Sequence, residues 1–422
     1  MSLIENSSIG WLARLGASFG GMVFGIIVLF CGTALLWWNE GDYVETRASL
    51  IEARNIAQEL GDSSRPDPSF NGKLIHASGF ADTQDILTDP VFTISTRAIA
   101  LSRSVEFYQW TEQSKSETKE KLGGGKETIT TYAYVKKWVS KPVDSSRFKD
   151  SAARQDNEAG VLLPIEHYNA RAVNVSFGGY RLPAFLISSI GGAVPLNAEL
   201  PKTAKEDLAR RISSAKAQMP RTDGGTPASP TTPETPGEYV HAQGNTLYIG
   251  ASPAVPQVGD VRVTFKEIRP AHVSILARVV GDTFERFHAS NGQSVGKLSM
   301  GTLSMENMFG SAHSGNSFWT WVLRILGTIL AIMGLGLLVA PLAIIAAFIP
   351  VLGAIVSAGA SIVCLFLGLA WSLVIISIAW LRFRPLTGVA MLIIAGGLGV
   401  FLFLRGRKKK TVAQAERAVL TT

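Results

Sequence analysis

The chain has 422 residues, a formal charge of +7 and 47% hydrophobic residues, the last concentrated toward its two ends. That distribution excludes an all-soluble protein. Cys31 and Cys364 both lie in apolar segments, so the central region has neither a disulfide nor a thiol site, and cysteine usage leaves its redox compartment open. The positive charge does not argue for nucleic acid: its densest cluster, Arg405, Arg407, Lys408, Lys409 and Lys410, abuts the last apolar segment. There it sets topology by the positive-inside rule, with anionic lipid as a secondary partner.

Leu15 to Trp38 contains no charged residue. A stretch of about 20 apolar residues spans a bilayer core as a helix, because its backbone polar groups are then satisfied internally. The segment ends in Trp37-Trp38-Asn39-Glu40-Gly41 without a small-residue cleavage site, so it reads as a retained anchor. Arg14 precedes it, while Glu40, Asp42 and Glu45 follow, which places the N-terminus in the cytoplasm and the central domain on the opposite side. Residues 1–41 are therefore expected to be a cytoplasmic N-terminus and the first transmembrane helix. Gly16 with Gly20, and Gly21 with Gly25, have the spacing for close helix packing, within one chain or between copies.

Residues 42–218 form the first part of a non-cytoplasmic α+β domain. Val44 to Leu60 has helical periodicity, stopped by Gly61-Asp62-Ser63-Ser64-Arg65-Pro66. Leu74 to His76, Ala98 to Trp110 and Thr128 to Val139 read as strands, the last two as a long hairpin with Gly123-Gly124-Gly125 in its tip. Asn169 to Phe177 reads as a further strand, followed by short helices around Pro183 to Ile190 and Lys202 to Ala217. Residues 219–237 are rich in Pro, Thr, Ser and Gly, a composition that builds no core and reads as a linker.

Residues 238–317 form a second β-rich part. Asn71 to Gly79 resembles Gly244 to Ser252, and each precedes a strand pair, Ser104–Trp110 with Tyr132–Trp138 and Val261–Lys266 with His272–Val280. Two repeated β units are the expectation. Residues 318–404 then supply three transmembrane helices: Phe318 to Ala340, Gly359 to Leu381 and Leu386 to Leu404. Pro341, Pro350 and Gly353 interrupt the apolar run over residues 341–358, which reads as a bent interfacial or re-entrant segment. A further cluster of small residues, Gly396, Gly397 and Gly399, lies in the last helix. Arg382 and Arg384 then fall outside the cytoplasm, with side chains long enough to reach headgroups. Residues 405–422 are the basic cytoplasmic tail.

No catalytic constellation emerges. His76, His167, His241, His272, His288 and His313 are scattered, without a metal-ligand spacing. Gly123-Gly124-Gly125-Lys126 lacks the first glycine of a phosphate loop and the Ser or Thr after its lysine. Glu106 and Glu112 flank Phe107, Tyr108 and Trp110, a pattern given equally by a sugar-cleaving carboxylate pair and by a strand with one buried face. Asn39 and Glu40 either mark the membrane exit or pair with Arg324 or another basic group near the same leaflet. Arg324, the one charge between Phe318 and Leu381, either snorkels or meets another helix.

Several motifs carry a family resemblance: Trp38-Asn39-Glu40-Gly41, Arg103-Ser104-Val105-Glu106-Phe107-Tyr108-Gln109-Trp110 and Tyr132-Ala133-Tyr134-Val135-Lys136-Lys137-Trp138. Val258 to Val263, Pro270-Ala271-His272-Val273, Phe318-Trp319-Thr320-Trp321 and Arg384-Pro385-Leu386 follow in the same order. The ordered set resembles the LUMA family of four-pass membrane proteins. The resemblance implies one N-terminal helix, a large lumenal domain and three C-terminal helices. In animals it also implies the endoplasmic reticulum and inner nuclear membrane, self-association, and links to lamins and emerin. The apolar 341–358 segment and the 219–237 linker depart from that pattern.

The sequence thus predicts an α+β membrane protein with one N-terminal and three C-terminal transmembrane helices around a β-rich non-cytoplasmic domain. Its expected function is non-enzymatic: self-association, and organisation of the membrane or scaffolding of partner proteins. A transporter or channel-like protein and a lipid-active enzyme are the alternatives. No catalytic, cofactor or metal residue and no cofactor is assigned. The expected partners are membrane lipids, further copies of the chain, and unknown membrane or lumenal or periplasmic proteins, without nucleic acid. The expected location is a bacterial inner membrane, or in a eukaryote the endoplasmic reticulum and inner nuclear membrane.

Overall fold

The computed structural model describes residues 2–150, 163–197, 199–218, 239–390 and 393. The 219–237 linker, the Gly396, Gly397 and Gly399 cluster and the 405–422 tail lie outside the described residues. The chain divides into two units: a β-rich unit of Met1–Ser7, Glu52–Thr118 and Thr128–Gly310, and a helical unit of Ser8–Ile51, Lys119–Glu127 and Ser311 onward.

The labelled strands are β1 (Ser2–Ile9), β2 (Leu74–Thr83), β3 (Ala100–Glu120), β4 (Lys126–Val139), β5 (Thr246–Ile249), β6 (Val261–Ile268), β7 (Ala271–Val280) and β8 (Lys297–Met300). Among the described residues an eight-stranded sheet runs β1-β4-β3-β6-β5 and on to Val240–Gln243. A seven-stranded sheet is centred on β7, which pairs with both β2 and β8. Each sheet has its own core. Ile75, Phe177, Ile275 and Phe284 are buried on the seven-stranded sheet, and Val105, Phe107, Val263 and Phe265 on the other. The helix Lys202–Gln218 adds Leu208 and Ile212 to the second core.

The long hairpin forms as expected from its period of two. The second expected strand pair does not. β6 pairs with β3, from Val261 opposite Phe107 to Ile268 opposite Ala100, whereas β7 pairs with β2, from Ala271 opposite Ala81 to Arg278 opposite Leu74. The reason lies in burial: β7 is buried at consecutive residues from Val273 to Ala277 and therefore takes a central position between two strands. Strands from the two halves of the chain interleave, so the halves resembling one another do not form separate β units.

The N-terminus also departs from expectation. Charge places Ser2–Ile9 on the side opposite the domain, but these residues form a strand that joins β4 in the eight-stranded sheet. Glu5 accepts a hydrogen bond from Tyr132 Oη at 2.9 Å and lies 3.4 Å from Lys149 Nζ.

Elsewhere in the β unit a loop is fixed by a single carboxylate. Asp85 accepts from the backbone N–H groups of Asn174 (2.9 Å) and Val173 (2.8 Å) and from Asn174 Nδ2 (3.1 Å). The bonds from Asn174, then that from Val173, hold its carboxyl below the ordinary carboxylate range. Its stabilisation is therefore present above about pH 3.9, the unfolded value, and is lost as pH falls through the lower folded value. Acid unfolding followed by circular dichroism is expected to show a shallower pH dependence for Asp85→Asn than for the parent.

Among the described residues of the helical unit, three helices are long and apolar enough to cross a membrane: α1 (Trp11–Ile56), α4 (Met305–Ala346) and α5 (Pro350–Phe383). The short helix Ala184–Ile187 and the helix Lys202–Gln218 are α2 and α3. The expected amphipathic helix after the anchor is simply the continuation of α1. Helix resumes at residues 385–390, and the rest of the expected crossing Leu386 to Leu404 lies largely outside the described residues.

The 341–358 segment holds a chain reversal between two helices. Pro341 sits inside α4, and the chain reverses over residues 347–349 before Pro350 opens α5. Pro350 suits the first helical position, where no N–H partner is lost.

α1 and α4 approach closely at two levels. A Cβ on Gly25 would lie 2.9 Å from Gly334 O, and one on Gly32 would lie 2.9 Å from Gly327 O. The glycines thus recur at a spacing of seven on both helices. Of the four glycines singled out by spacing, only Gly25 makes such an approach; Gly16 and Gly20 have nothing within 4 Å. Gly327→Leu is expected to cost about 1–3 kcal/mol through overpacking, read as a lower melting temperature in detergent, while Gly16→Leu stays near parent.

Candidate functional site

The motif Trp38-Asn39-Glu40-Gly41 lies two-thirds of the way along α1, where the apolar stretch ends. Each of its last three residues has a separate task in joining helices. Glu40 is fully buried and takes Arg324 of α4 in a two-pronged pair: Nε donates to Oε1 at 2.6 Å and the terminal nitrogen to Oε2 at 2.8 Å. Trp380 of α5 donates its indole N–H to the same Oε2 at 2.8 Å. The guanidinium also lies 5.0 Å from the Trp321 ring and 5.8 Å from the Trp380 ring. Asn39, buried, donates to Thr320 O at 3.2 Å. Gly41 leaves room for Phe383, which a Cβ there would meet at 2.9 Å.

Of the two readings open for Glu40 and Arg324, the structure therefore selects pairing over membrane exit and snorkelling. A bidentate carboxylate–guanidinium pair is well suited to a weakly hydrated setting, because its donors and acceptors are matched within the pair. Around it the network continues: Asn316 Nδ2 donates to Tyr43 O at 3.1 Å, and Arg384 stacks 4.3 Å from the Tyr43 ring. Arg384, expected to reach headgroups, instead covers an aromatic ring. This constellation holds three helices together. Three donors from two helices reach the Glu40 carboxylate.

At the other end of the helical unit is a cavity of about 850 Å³ lined by small residues of all three helices, among them Ala17, Gly21, Ala343 and Ala358. Arg14, Glu120 and Lys126 stand at it. Arg14 donates to Glu120 Oε1 at 3.2 Å and to Gly124 O, so the hairpin tip packs at the start of α1. Trp11 donates its indole N–H to Ile344 O at 2.8 Å beside that tip.

In the β unit, Glu106 and Glu112 share one face of β3 but do not converge. Arg262 donates to Glu106 at 2.8 Å, whereas Glu112 accepts from Tyr134 Oη at 2.8 Å and from Lys149 N at 2.6 Å. Between them lies a half-exposed aromatic and cationic strip. Arg262 sits 4.5 Å from the Trp138 ring, Trp138 is 5.3 Å from Tyr108, and Lys136 lies 4.8 Å from Trp110. The sugar-site reading therefore gives way to a strand with one buried face, whose other face is a continuous ladder of rings and cations. Tyr248 joins its end, 6.1 Å from Trp138, and donates to buried Asp260.

The histidines remain apart. Buried His76 meets Glu59 at 2.6 Å, His241 bonds Gly250 O at 3.1 Å, and His288 bonds Ser294 at 3.0 Å. Among the described residues no group of three or more His, Cys, Asp or Glu side chains is placed to hold a metal ion.

Sequence reasoning missed one buried pair. Asp89, fully buried, is paired with Arg103, whose guanidinium lies 2.7 Å from each of its carboxylate oxygens. Arg103 was visible only as part of a motif, and nothing local to Asp89 distinguishes it from a turn aspartate.

Comparison with known proteins accords with these motifs. The sequence profile of the family described as Transmembrane protein 43 matches residues 107–385. Transmembrane protein 43 of Mus musculus is 28% identical over 387 residues, 89% of this chain and 88% of that protein. The Homo sapiens protein of that name is 27% identical over 403 residues, 93% and 90% of the two chains. The Transmembrane protein 43 homolog of Drosophila melanogaster is 25% identical over 389 residues, 91% and 94%. No solved structure matches the chain.

Proposed function

This chain belongs to the Transmembrane protein 43 family, and from that premise we propose that it is a non-enzymatic integral membrane protein that self-associates and organises the membrane or scaffolds partner proteins. The observation that carries the reading is the fate of the charged residues most open to a catalytic role. Glu40, Glu106 and Glu112 are each engaged by neighbouring donors that hold elements together. Catalytic carboxylates, by contrast, converge on a space where a substrate fits.

Two surfaces support a role in assembly. Gly16 and Gly20 meet no other helix among the described residues, which leaves a close-packing face for a second copy. The ladder of Tyr108, Trp110, Lys136, Trp138 and Arg262 offers the aromatic and arginine side chains that dominate protein interfaces. Its partners are then membrane lipids, other copies of the chain, and membrane or lumenal or periplasmic proteins. The compartment is the endoplasmic reticulum and inner nuclear membrane in a eukaryote, or the inner membrane in a bacterium.

The test is the mass of the assembly in native lipid nanodiscs, with co-purifying proteins and lipids identified. A defined oligomer with a recurrent partner is the expected result. A bare monomer with no partner overturns the reading and turns attention to flux assays.

A further inference from the structure

The eight-stranded sheet has an open end at β1 and a second open edge along β3. Among the described residues β1 pairs only with β4. β3 is much longer than its neighbours on the side away from β4: Tyr168–Arg171 and β6 pair only with its first part, and β6 ends opposite Phe107.

The direction of the backbone groups beyond that point follows from the hydrogen bonds. Lys121 N donates to Gly125 O within the hairpin, so odd-numbered residues of β3 bond toward β4. Tyr108, by contrast, donates to Asp260 O and accepts from Gly259 N on the other side. The paired hydroxyls of Ser116 with Thr130 and Thr118 with Thr128 keep this register to the tip. The backbone N–H and C=O groups of Ser114, Ser116 and Thr118 therefore point away from β4, where no described strand meets them.

Open edges of this length are normally blunted by proline, a bulge, charged side chains or a covering element, because they template pairing with another chain; here the two charges of the β3 edge, Lys115 and Glu117, pair with each other at 2.9 Å. Neither Ser2–Ile9 nor Ser114–Thr118 contains proline. The hairpin also leads into the unit of membrane-length helices, its tip held by Arg14 at the start of α1.

We infer that β1 of one copy adds as a parallel strand to the Ser114–Thr118 edge of β3 in the next copy. This rests on the self-association proposed above and names its contact. Within one chain Glu5 bonds Tyr132 while Ile9 lies beside Gly125, so β1 runs antiparallel to β4 and hence parallel to β3. A neighbour turned about an axis along the ribbon presents β1 in that same parallel sense. The two edges are opposite margins of one three-stranded ribbon. A single head-to-tail contact therefore satisfies both, and it repeats around a closed ring.

The test uses the full-length chain in nanodiscs, in a Cys31→Ser, Cys364→Ala background. Single variants Asn6→Cys and Ser8→Cys are each mixed with Ser114→Cys or Ser116→Cys before mild oxidation. A disulfide-linked dimer in the mixtures, and in neither variant alone, is expected. Ser114→Pro removes an outward N–H and spares the hairpin bonds, so it is expected to reduce the assembly to monomer with unchanged circular dichroism. An oligomer of parental mass that gives no cross-link in any mixture and tolerates Ser114→Pro overturns the strand contact and leaves self-association standing. A parental chain that is monomeric overturns self-association itself.

Discussion

Glu40→Ala is expected to destabilise the helical unit by about 3–5 kcal/mol, the cost of leaving a buried guanidinium without its carboxylate. Arg324 has only 14% of its side chain exposed, and its remaining neighbours, Trp321 and Trp380, are rings that cannot neutralise it in full. Arg324→Ala strands Glu40, whose other donor among the described residues is Trp380. Replacing both with apolar residues of similar volume, Glu40→Leu with Arg324→Met, is expected to lose less than either alanine variant. A charge exchange, Glu40→Arg with Arg324→Glu, does not restore stability. The indole N–H of Trp380 would then face a guanidinium in place of a carboxylate. Thermal unfolding of the five proteins in the same detergent checks this ordering; equal melting temperatures for parent and Glu40→Ala would show that the pair carries no stability.

The partner of Glu40 was legible because a charge in an apolar helix has few ways to be satisfied, and one other charge stood in the C-terminal helices. The long hairpin was legible because its alternation is local. What failed was decided by distant partners. β7 is buried on both faces, so its sequence says that it is central without saying which strand lies beside it. β1 is a polar octapeptide whose strand character comes entirely from pairing with β4. The chain reversal at 347–349 falls inside the segment that the sequence marks as broken, but of its three breakers only Pro350 adjoins the turn, because Pro341 and Gly353 are tolerated inside apolar helices. The close approach of α1 and α4 recurs every seven residues, at Gly25 and Gly32 against Gly334 and Gly327, and a search for pairs four apart overlooks it.

In the β unit the largest effect is expected from Asp89→Ala, also about 3–5 kcal/mol. Asp89 does more than pair with Arg103. Its Oδ1 accepts from the N–H groups of Val91 and Phe92, each at 2.9 Å, and its backbone closes a loop with Thr93 and Ile94 that carries Thr93 at a φ of 53°. The loop places Phe92 in the core against Phe265, with ring centroids 5.5 Å apart. Arg103 also donates from Nε and Nη2 to Glu166 O, at 3.1 and 3.0 Å, and in the variant it loses Asp89, its one anionic partner among the described residues. Asp89→Asn keeps an acceptor for the loop but removes the charge, and it is expected to fall between parent and alanine. Because the Asp89 and Glu40 networks share no residue, the double variant Asp89→Ala, Glu40→Ala is expected to show additive losses to within about 0.5 kcal/mol. A melting analysis that finds the two losses strongly coupled would mean that the β unit and the helical unit unfold as one.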